Sequence, residues 1–311
     1  MDDLKGDAAM TTNQNADQTT TPATDAGVRQ ILVIGSGAMG RQIGMAAAVA
    51  GFTTTVRDVA AEAVSAAEQD MRTWLDGRVA KGRMDQETAD AAWERITFTT
   101  DLEPAITTAD LVIEAATEKL DVKRSVFAEL DRLAPPHAIL ATNSSTYGSS
   151  AVADATGRPE KVCNMHFFNP ALVMKAVEVV RHASTSDETV ATVEAVARAM
   201  GKVPVLLTKE VPGFVANRLM GAVRNEALDL YSQGVASVED IDEAAKNALG
   251  HPMGPFELMD LVGLDVTYLI RQATYELTGD EAEKPHPLLE QKYRAGEFGR
   301  KTGKGWYSYG H

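Results

Sequence analysis

Four apolar residues, Ile31-Leu32-Val33-Ile34, run directly into Gly35-Ser36-Gly37-Ala38-Met39-Gly40, and no other segment constrains the fold as tightly. A short uninterrupted apolar run reads as a strand buried on both faces of a parallel sheet. The Gly-x-Gly-x-x-Gly spacing behind it is common by itself. Here a helical stretch to about Ala50 follows, Gly51 stops it, and Thr53-Thr54-Thr55-Val56-Arg57 forms a second strand ending at Asp58. That is a βαβ unit of the length that binds dinucleotides. Gly35 allows the tight turn, Gly37 lets backbone approach a pyrophosphate, and Gly40 lets helix pack on strand. The N–H groups that open the helix, on Ala38, Met39 and Gly40, then face the phosphates. Asp58 stands 18 residues beyond Gly40. A carboxylate there bonds ribose hydroxyls and repels a 2′-phosphate, which points to NAD. Arg57 beside it offers that phosphate a cation, so NADP stays an alternative.

The alternation continues. Residues 60–95 are helical in pattern with a break near Lys81-Gly82-Arg83, and further strands are expected at Leu111-Val112-Ile113-Glu114, Ile139-Leu140-Ala141-Thr142 and Lys161-Val162-Cys163-Asn164-Met165. After about residue 208 the character changes, and Pro212-Gly213 punctuates the chain. Val215, Leu219, Val223 and Ala227 then recur at the interval of a helical face. Ser237 with Asp240 opens another helix in the manner of a capping box, closed by Gly250, and a third is expected from about Phe256 to Leu277. The expected fold is α/β: a Rossmann-type, doubly wound, mostly parallel sheet over residues 28–210, then an all-α domain over 211–311.

Residues 1–27 carry only Met1, Leu4 and Met10 as larger apolar side chains, too few to offset the entropy of ordering, so disorder is expected. They have neither the basic start and apolar stretch of a signal peptide nor the Arg-rich pattern of a transit peptide. A formal charge of −14 makes nucleic acid and anionic lipid poor partners. An anionic substrate must therefore meet a local basic patch. Cys163 stands alone, which excludes an intrachain disulfide and fits a reducing compartment. No apolar run reaches membrane-spanning length. The cytoplasm is the expected location, and no metal ion is expected.

The chemistry gathers at His166-Phe167-Phe168-Asn169-Pro170, followed by Val173-Met174-Lys175-Ala176-Val177-Glu178-Val179-Val180. A His beside two aromatics is more often a packed core residue, yet its pKa also suits a general base near neutrality. Other blocks surround it: Val112-Ile113-Glu114-Ala115-Ala116, Thr142-Asn143-Ser144-Ser145, Pro212-Gly213-Phe214-Val215-Ala216-Asn217-Arg218, His251-Pro252-Met253-Gly254-Pro255, and the closing Gly299-Arg300-Lys301-Thr302-Gly303-Lys304-Gly305-Trp306-Tyr307. In this order the blocks resemble the 3-hydroxyacyl-CoA dehydrogenase family from about residue 29 to 309, and most of all its short bacterial 3-hydroxybutyryl-CoA dehydrogenases. The family more often carries Thr and Leu where Ser144 and Tyr147 stand, and has no counterpart of the 27-residue tail.

The resemblance implies reversible oxidation of an (S)-3-hydroxyacyl-CoA to the 3-oxoacyl-CoA. It implies His166 as the base for the hydroxyl proton and Glu178 as the carboxylate that fixes the imidazole. A charge inside a Val-rich run does need a partner. By the same resemblance Ser145 and Asn217 hydrogen-bond the reacting oxygen, from different domains. Glu118, Lys123 and Asn143 join the cofactor set, and the assembly is a homodimer. Leu258, Leu261, Leu269 and Ile270 are candidates for its interface. Ser145 has a plainer reading as a helix cap, and Asn217 as a backbone partner. CoA brings phosphates, and Arg72, Arg78, Lys81 and Arg83 cluster in the 60–95 stretch. Arg78 and Lys81 are accordingly expected to meet the acyl-CoA thioester, although a solvated face with ordinary ion pairs explains them as well. Dehydrogenases of sugar acids, enzymes with a Lys base, and a non-catalytic nucleotide sensor are the competing readings. Phe167-Phe168, the absence of Lys in 217–225, and the joint presence of His166, Glu178, Ser145 and Asn217 count against them in turn.

Overall fold

The computed structural model describes residues 27–310. The expectation of disorder for residues 1–27 lies, Gly27 apart, outside the described residues. The chain divides into two compact units, with the break after Phe214.

The first unit starts with β1 (Gln30–Ile34), α1 (Ala38–Val49), β2 (Thr53–Arg57), α2 (Ala61–Ala80), α3 (Gln86–Arg95) and β3 (Ile96–Thr99). It continues through α4 (Glu103–Ile106), β4 (Leu111–Glu114), α5 (Leu120–Leu133), β5 (Ile139–Thr142) and α6 (Ser150–Ala153). It closes with β6 (Val162–Phe167), β7 (Ala176–Val180), α7 (Asp187–Ala199) and β8 (Val203–Leu207). The strands form one sheet in the order β3-β2-β1-β4-β5-β6-β7-β8. Every pairing is parallel except β6 with β7. The order reverses between β1 and β4, and ligands of such sheets bind at that crevice, beyond the carboxyl ends of the strands.

Side chains alternate across a strand, so the apolar runs feed two cores. Ile31 and Val33 join Leu111, Ile113, Ile139 and Ala141 in the core on one face, while Leu32 joins Val112 and Leu140 on the other. That is why these runs are apolar throughout rather than alternating. β3 is absent from the sequence reading for the converse reason: it is an edge strand with only Ile96 buried, which leaves a weak apolar signal.

The second unit holds α8 (Ala216–Ser232), α9 (Val238–Ala248), α10 (Pro255–Val262), α11 (Leu264–Thr278) and α12 (Pro287–Arg294). Ser237 caps α9 as its pattern predicts, its hydroxyl accepting from the Asp240 amide. The single helix expected from Phe256 to Leu277 is two. Gly263 adopts φ 107°, a conformation other residues rarely take, and breaks it.

Two buried aspartates wire this unit. Asp242, from α9, accepts from the Phe256 and Glu257 amides and from the Tyr307 hydroxyl. Asp260, from α10, accepts from the Trp306 and Tyr307 amides and the Tyr309 hydroxyl. A Cβ on Gly305 would lie 2.0 Å from Asp260 Oδ1, which accounts for a glycine in the closing Gly-Trp-Tyr block. Asp260→Ala would strand two amides in a closed site, at a cost of about 3 kcal/mol. Urea unfolding followed by circular dichroism is expected to show the lowered midpoint, and an unchanged midpoint would refute this role.

Candidate active site

The crevice begins at the glycine turn. Gly35 has φ 99°, and a Cβ there would lie 2.7 Å from Ala115 O and from Ala116 Cα. A Cβ on Gly40 would lie 1.8 Å from Gly35 O. The protein's own backbone thus requires both glycines. Gly37 differs: a Cβ there would meet nothing within 4 Å. It is also the N-cap of α1, and no side chain caps that helix. Space is therefore open beside Gly37 at the positive end of α1, whose first amides, on Ala38, Met39 and Gly40, are the donors such a helix start offers to a pyrophosphate.

Asp58, just past β2, turns one oxygen to this loop. Its Oδ2 accepts from the Ser36 amide (2.7 Å) and the Ser36 hydroxyl (3.1 Å), and Oδ1 accepts from the Ala60 amide (3.2 Å). Burial pushes its carboxyl up, but these hydrogen bonds prevail and hold it below the usual aspartate value. It remains a charged acceptor beside the turn, as a ribose partner must. Sequence reasoning passed over Ser36, although its place between two loop glycines is the available signal.

At the ends of β4 and β5 lies a buried polar network. Glu114 is fully buried and Lys123, from α5, is 1% exposed. Lys123 Nζ donates to Glu114 Oε2 at 2.7 Å, and the Thr142 hydroxyl donates to the same oxygen at 2.9 Å. Glu114 Oε1 accepts from the Ala116 amide at 2.9 Å, fixing the backbone that packs on Gly35. Lys123, expected among the cofactor ligands, thus spends its ammonium on this network, with Glu118 3.9 Å away. The network reaches Ser145 from both sides. Ser144 donates its amide to Thr142 Oγ1 and its hydroxyl to Glu118, and its Oγ accepts from the Thr146 and Tyr147 amides.

Ser145 is half-buried, and its hydroxyl has no partner among the described residues. It is not a helix cap, since α6 starts at Ser150 with Ser149 as N-cap. Asn164 on β6 supports its loop from below, donating to Ser144 O and Tyr147 O and accepting from the Ser149 amide. Glu210 accepts from both Ser149 and Ser150. Asn143 accepts from the Phe167 amide at 2.8 Å and ties β5 to β6.

His166 and Glu178 are cross-strand partners in the antiparallel pair of β6 and β7. His166 Nδ1 lies 2.9 Å from Glu178 Oε2, with the residues 5% and 1% exposed. A carboxylate only accepts, so Nδ1 carries the proton and Nε2 is left as the basic nitrogen. Phe168 and Phe214 flank the imidazole at 4.6 and 5.5 Å between ring centroids. Phe214, another residue the sequence reading left unassigned, is buried and holds a positive φ of 49° after Gly213. Lys202 donates to Ala171 O and Met174 O and so anchors the loop that joins the two strands.

The remaining expected residues lie elsewhere. Arg78 and Lys81 sit at the C-terminal end of α2, Arg78 over Trp74 at 5.7 Å with its Nε buried and unpaired, and Lys81 exposed. Arg72 is committed to Asp76 and Trp93. Asn217 belongs to the second unit, where it is the second residue of α8 and half-buried. Among the described residues, no cluster of metal-ligating side chains occurs and no helix is long and apolar enough to cross a membrane.

A Rossmann-like sheet with this turn and an acid-fixed imidazole at its carboxyl edge defines the first unit as the NAD-binding domain of a dehydrogenase. Residues 30–211 match the model of the 3-hydroxyacyl-CoA dehydrogenase NAD-binding domain, and residues 213–309 that of the same family's C-terminal domain. A probable 3-hydroxybutyryl-CoA dehydrogenase of Bacillus subtilis is 41% identical over 91% of this chain and 98% of its own. The human mitochondrial hydroxyacyl-coenzyme A dehydrogenase is 38% identical over 91% of each chain. The crystal structure of (S)-3-hydroxybutyryl-CoA dehydrogenase from Ralstonia eutropha superposes with a TM-score of 0.84 at 35% identity, covering 91% of this chain and all of that one. The chain belongs to the 3-hydroxyacyl-CoA dehydrogenase family.

Removing one partner of the buried Glu114–Lys123 pair leaves the other charge without compensation. Glu114→Ala is expected to cost about 3–5 kcal/mol of stability, with part of it recovered in Glu114→Ala/Lys123→Met. Urea unfolding of the three proteins measures this, and a double variant no more stable than the single one would refute the pairing.

Proposed function

We propose that the protein catalyses the reversible NAD-dependent oxidation of an (S)-3-hydroxyacyl-CoA, 3-hydroxybutyryl-CoA in the first instance, to the 3-oxoacyl-CoA. The observation that carries this reading is the buried His166–Glu178 pair, which leaves Nε2 as the base at the carboxyl edge of an NAD-binding sheet. The names of the Bacillus and Ralstonia relatives support the substrate class.

In the oxidation direction His166 Nε2 takes the proton of the 3-hydroxyl group as the carbon–oxygen bond becomes a carbonyl. Glu178 is a positioning residue: it holds the tautomer and stabilises the imidazolium that forms. Bound NAD supplies the hydride acceptor. The unpartnered hydroxyl of Ser145 donates to the reacting oxygen, and Asn217 is the second donor that the family resemblance assigns to it. Phe168 and Phe214 exclude water around the imidazole, which strengthens each of these polar contacts. In the reverse direction the imidazolium returns the proton.

Gly35, Gly37, Gly40 and the amides that follow hold the pyrophosphate, and Asp58 takes the adenosine ribose. Glu118, Lys123 and Asn143 shape the nicotinamide end. Arg78 and Lys81 meet the phosphates of CoA, a local basic patch on a chain of formal charge −14. Leu261, Leu269 and Ile270 are exposed on α10 and α11 and suit a homodimer interface. One buried cysteine fits a reducing compartment such as the cytoplasm.

The test is NADH oxidation with acetoacetyl-CoA. Wild type turns over, and His166→Ala loses on the order of 10²–10⁴-fold in kcat. NADPH is the poorer coenzyme because Asp58 repels its 2′-phosphate. An undiminished rate in His166→Ala would overturn the assignment of the base, and equal use of NADPH that of Asp58.

A further inference from the structure

The segment that leads out of β8 touches both the loop of Ser145 and the ring of His166. It is built stiffly. The Arg181 amide donates to Leu207 O, which extends the pairing of β7 with β8. Val211-Pro212-Gly213-Phe214 then closes a tight turn, with the Phe214 amide donating to Val211 O at 3.0 Å and Gly213 at φ 75°. Proline followed by a glycine of positive φ is the make-up of a type II turn. Phe214 folds back onto Val180 and Leu207 in a small buried core of its own. The segment is thus pinned to β7, the strand that carries Glu178.

Glu210 stands just before this turn and reaches the loop of Ser145. Its Oε1 accepts from the Ser149 hydroxyl at 3.0 Å and from the Ser150 amide at 2.9 Å, and its Oε2 accepts from the Ser150 hydroxyl. Ser149 is fully buried, and its amide donates to Asn164 on β6, so Glu210 and Asn164 hold one residue from two sides. The fit leaves no slack at Gly148. A Cβ there would lie 2.5 Å from Glu210 Cδ and 2.6 Å from its Oε1. Gly148 is not among the glycines of positive φ, so the nearest obstacle to a side chain is the Glu210 carboxylate itself. Beyond the turn, Phe214 lies 5.5 Å from the His166 ring.

We propose that Glu210 is a positioning residue for the reaction. Through Ser149 and Ser150 it sets the Ser145 loop, and it does so from the segment whose Phe214 packs on the imidazole, so the hydroxyl donor is fixed relative to the base. This rests on the dehydrogenase reading. The register of β6 with β7 holds His166, but a loop has no ladder and takes its place from the side chains that reach it. A base and a donor that serve one oxygen must keep their spacing, since an error of about 1 Å in such geometry costs up to ~10²-fold in rate. A carboxylate that merely capped the short α6 would steady the fold without regard to Ser145.

The experiment follows NADH oxidation with acetoacetyl-CoA in single and paired variants. Glu210→Ala is expected to lose about tenfold in kcat, less than the ~10²-fold expected for removing the donor itself in Ser145→Ala. Glu210→Gln keeps an acceptor and retains most of the rate. Gly148→Ala pushes the carboxylate aside and reproduces the loss in a chain that still has it, and adds nothing once Glu210 is Ala. With Ser145 already Ala, Glu210→Ala costs no further kcat. The proposal is overturned by losses that multiply in the Ser145→Ala background, by a Glu210→Ala enzyme as fast as wild type, or by a Gln variant as slow as the Ala one. Hydrogen exchange over residues 143–152 reads the hold on the loop without turnover, and is expected to quicken in Glu210→Ala and Gly148→Ala alike. A wild type that leaves acetoacetyl-CoA unreduced would sink the dehydrogenase reading, whereas unchanged exchange would sink the hold of Glu210 on the loop.

Discussion

The antiparallel pairing of β6 with β7 is the constraint on which the site depends. It reverses one strand in an otherwise parallel sheet and sets His166 directly opposite Glu178. Alternate residues of the same strands, Met165, Phe167, Val177 and Val179, pack into the core on the other face. A slip of one residue would exchange the two sets, burying the charged pair in that core and exposing its apolar neighbours. The apolar residues thus hold the register, and the register holds the pair. Neither group is free to find water, so each must satisfy the other.

The same economy of buried polar groups governs the rest of the crevice. Glu114 collects Lys123, Thr142 and the Ala116 amide on its two oxygens, and Ser144 extends that order to the loop of Ser145. Asp58 closes onto Ser36 in the glycine turn. The glycine turn, the Ser145 loop and the imidazole are therefore set by separate carboxylates, each fixed by hydrogen bonds within the protein. Preorganised dipoles of this kind need little rearrangement during a reaction. In the second unit Asp242 and Asp260 do comparable work for structure, holding the start of α10 and the closing Gly-Trp-Tyr block in place.

Much of this was legible in the sequence, for physical reasons. Apolar runs buried on both faces announced β1, β4 and β5, and the glycine spacing announced the turn in which Gly35 and Gly40 leave no room for a side chain. Capping at Ser237 was readable because it is local. Features made by distant or sparse signals were not. β3 buries one residue, and the break at Gly263 is a backbone angle hidden inside an apolar periodicity. The partners of Glu114 lie 9 and 28 residues away, and periodicity says nothing about such pairs. Phe214 appeared only as a member of the Pro212–Arg218 block, with nothing local to mark it as a neighbour of His166. The residues alone left His166 as one candidate among core histidines, and the link to Glu178 came through the family resemblance.

If Glu178 acts only by holding and stabilising His166, removing it must not matter once the imidazole is gone. Steady-state kcat for wild type, His166→Ala, Glu178→Ala and the double variant measures that coupling directly. The account predicts that Glu178→Ala loses on the order of 10²-fold alone and almost nothing further in the His166→Ala background. Independent, multiplying losses would contradict it and would give the carboxylate a separate role.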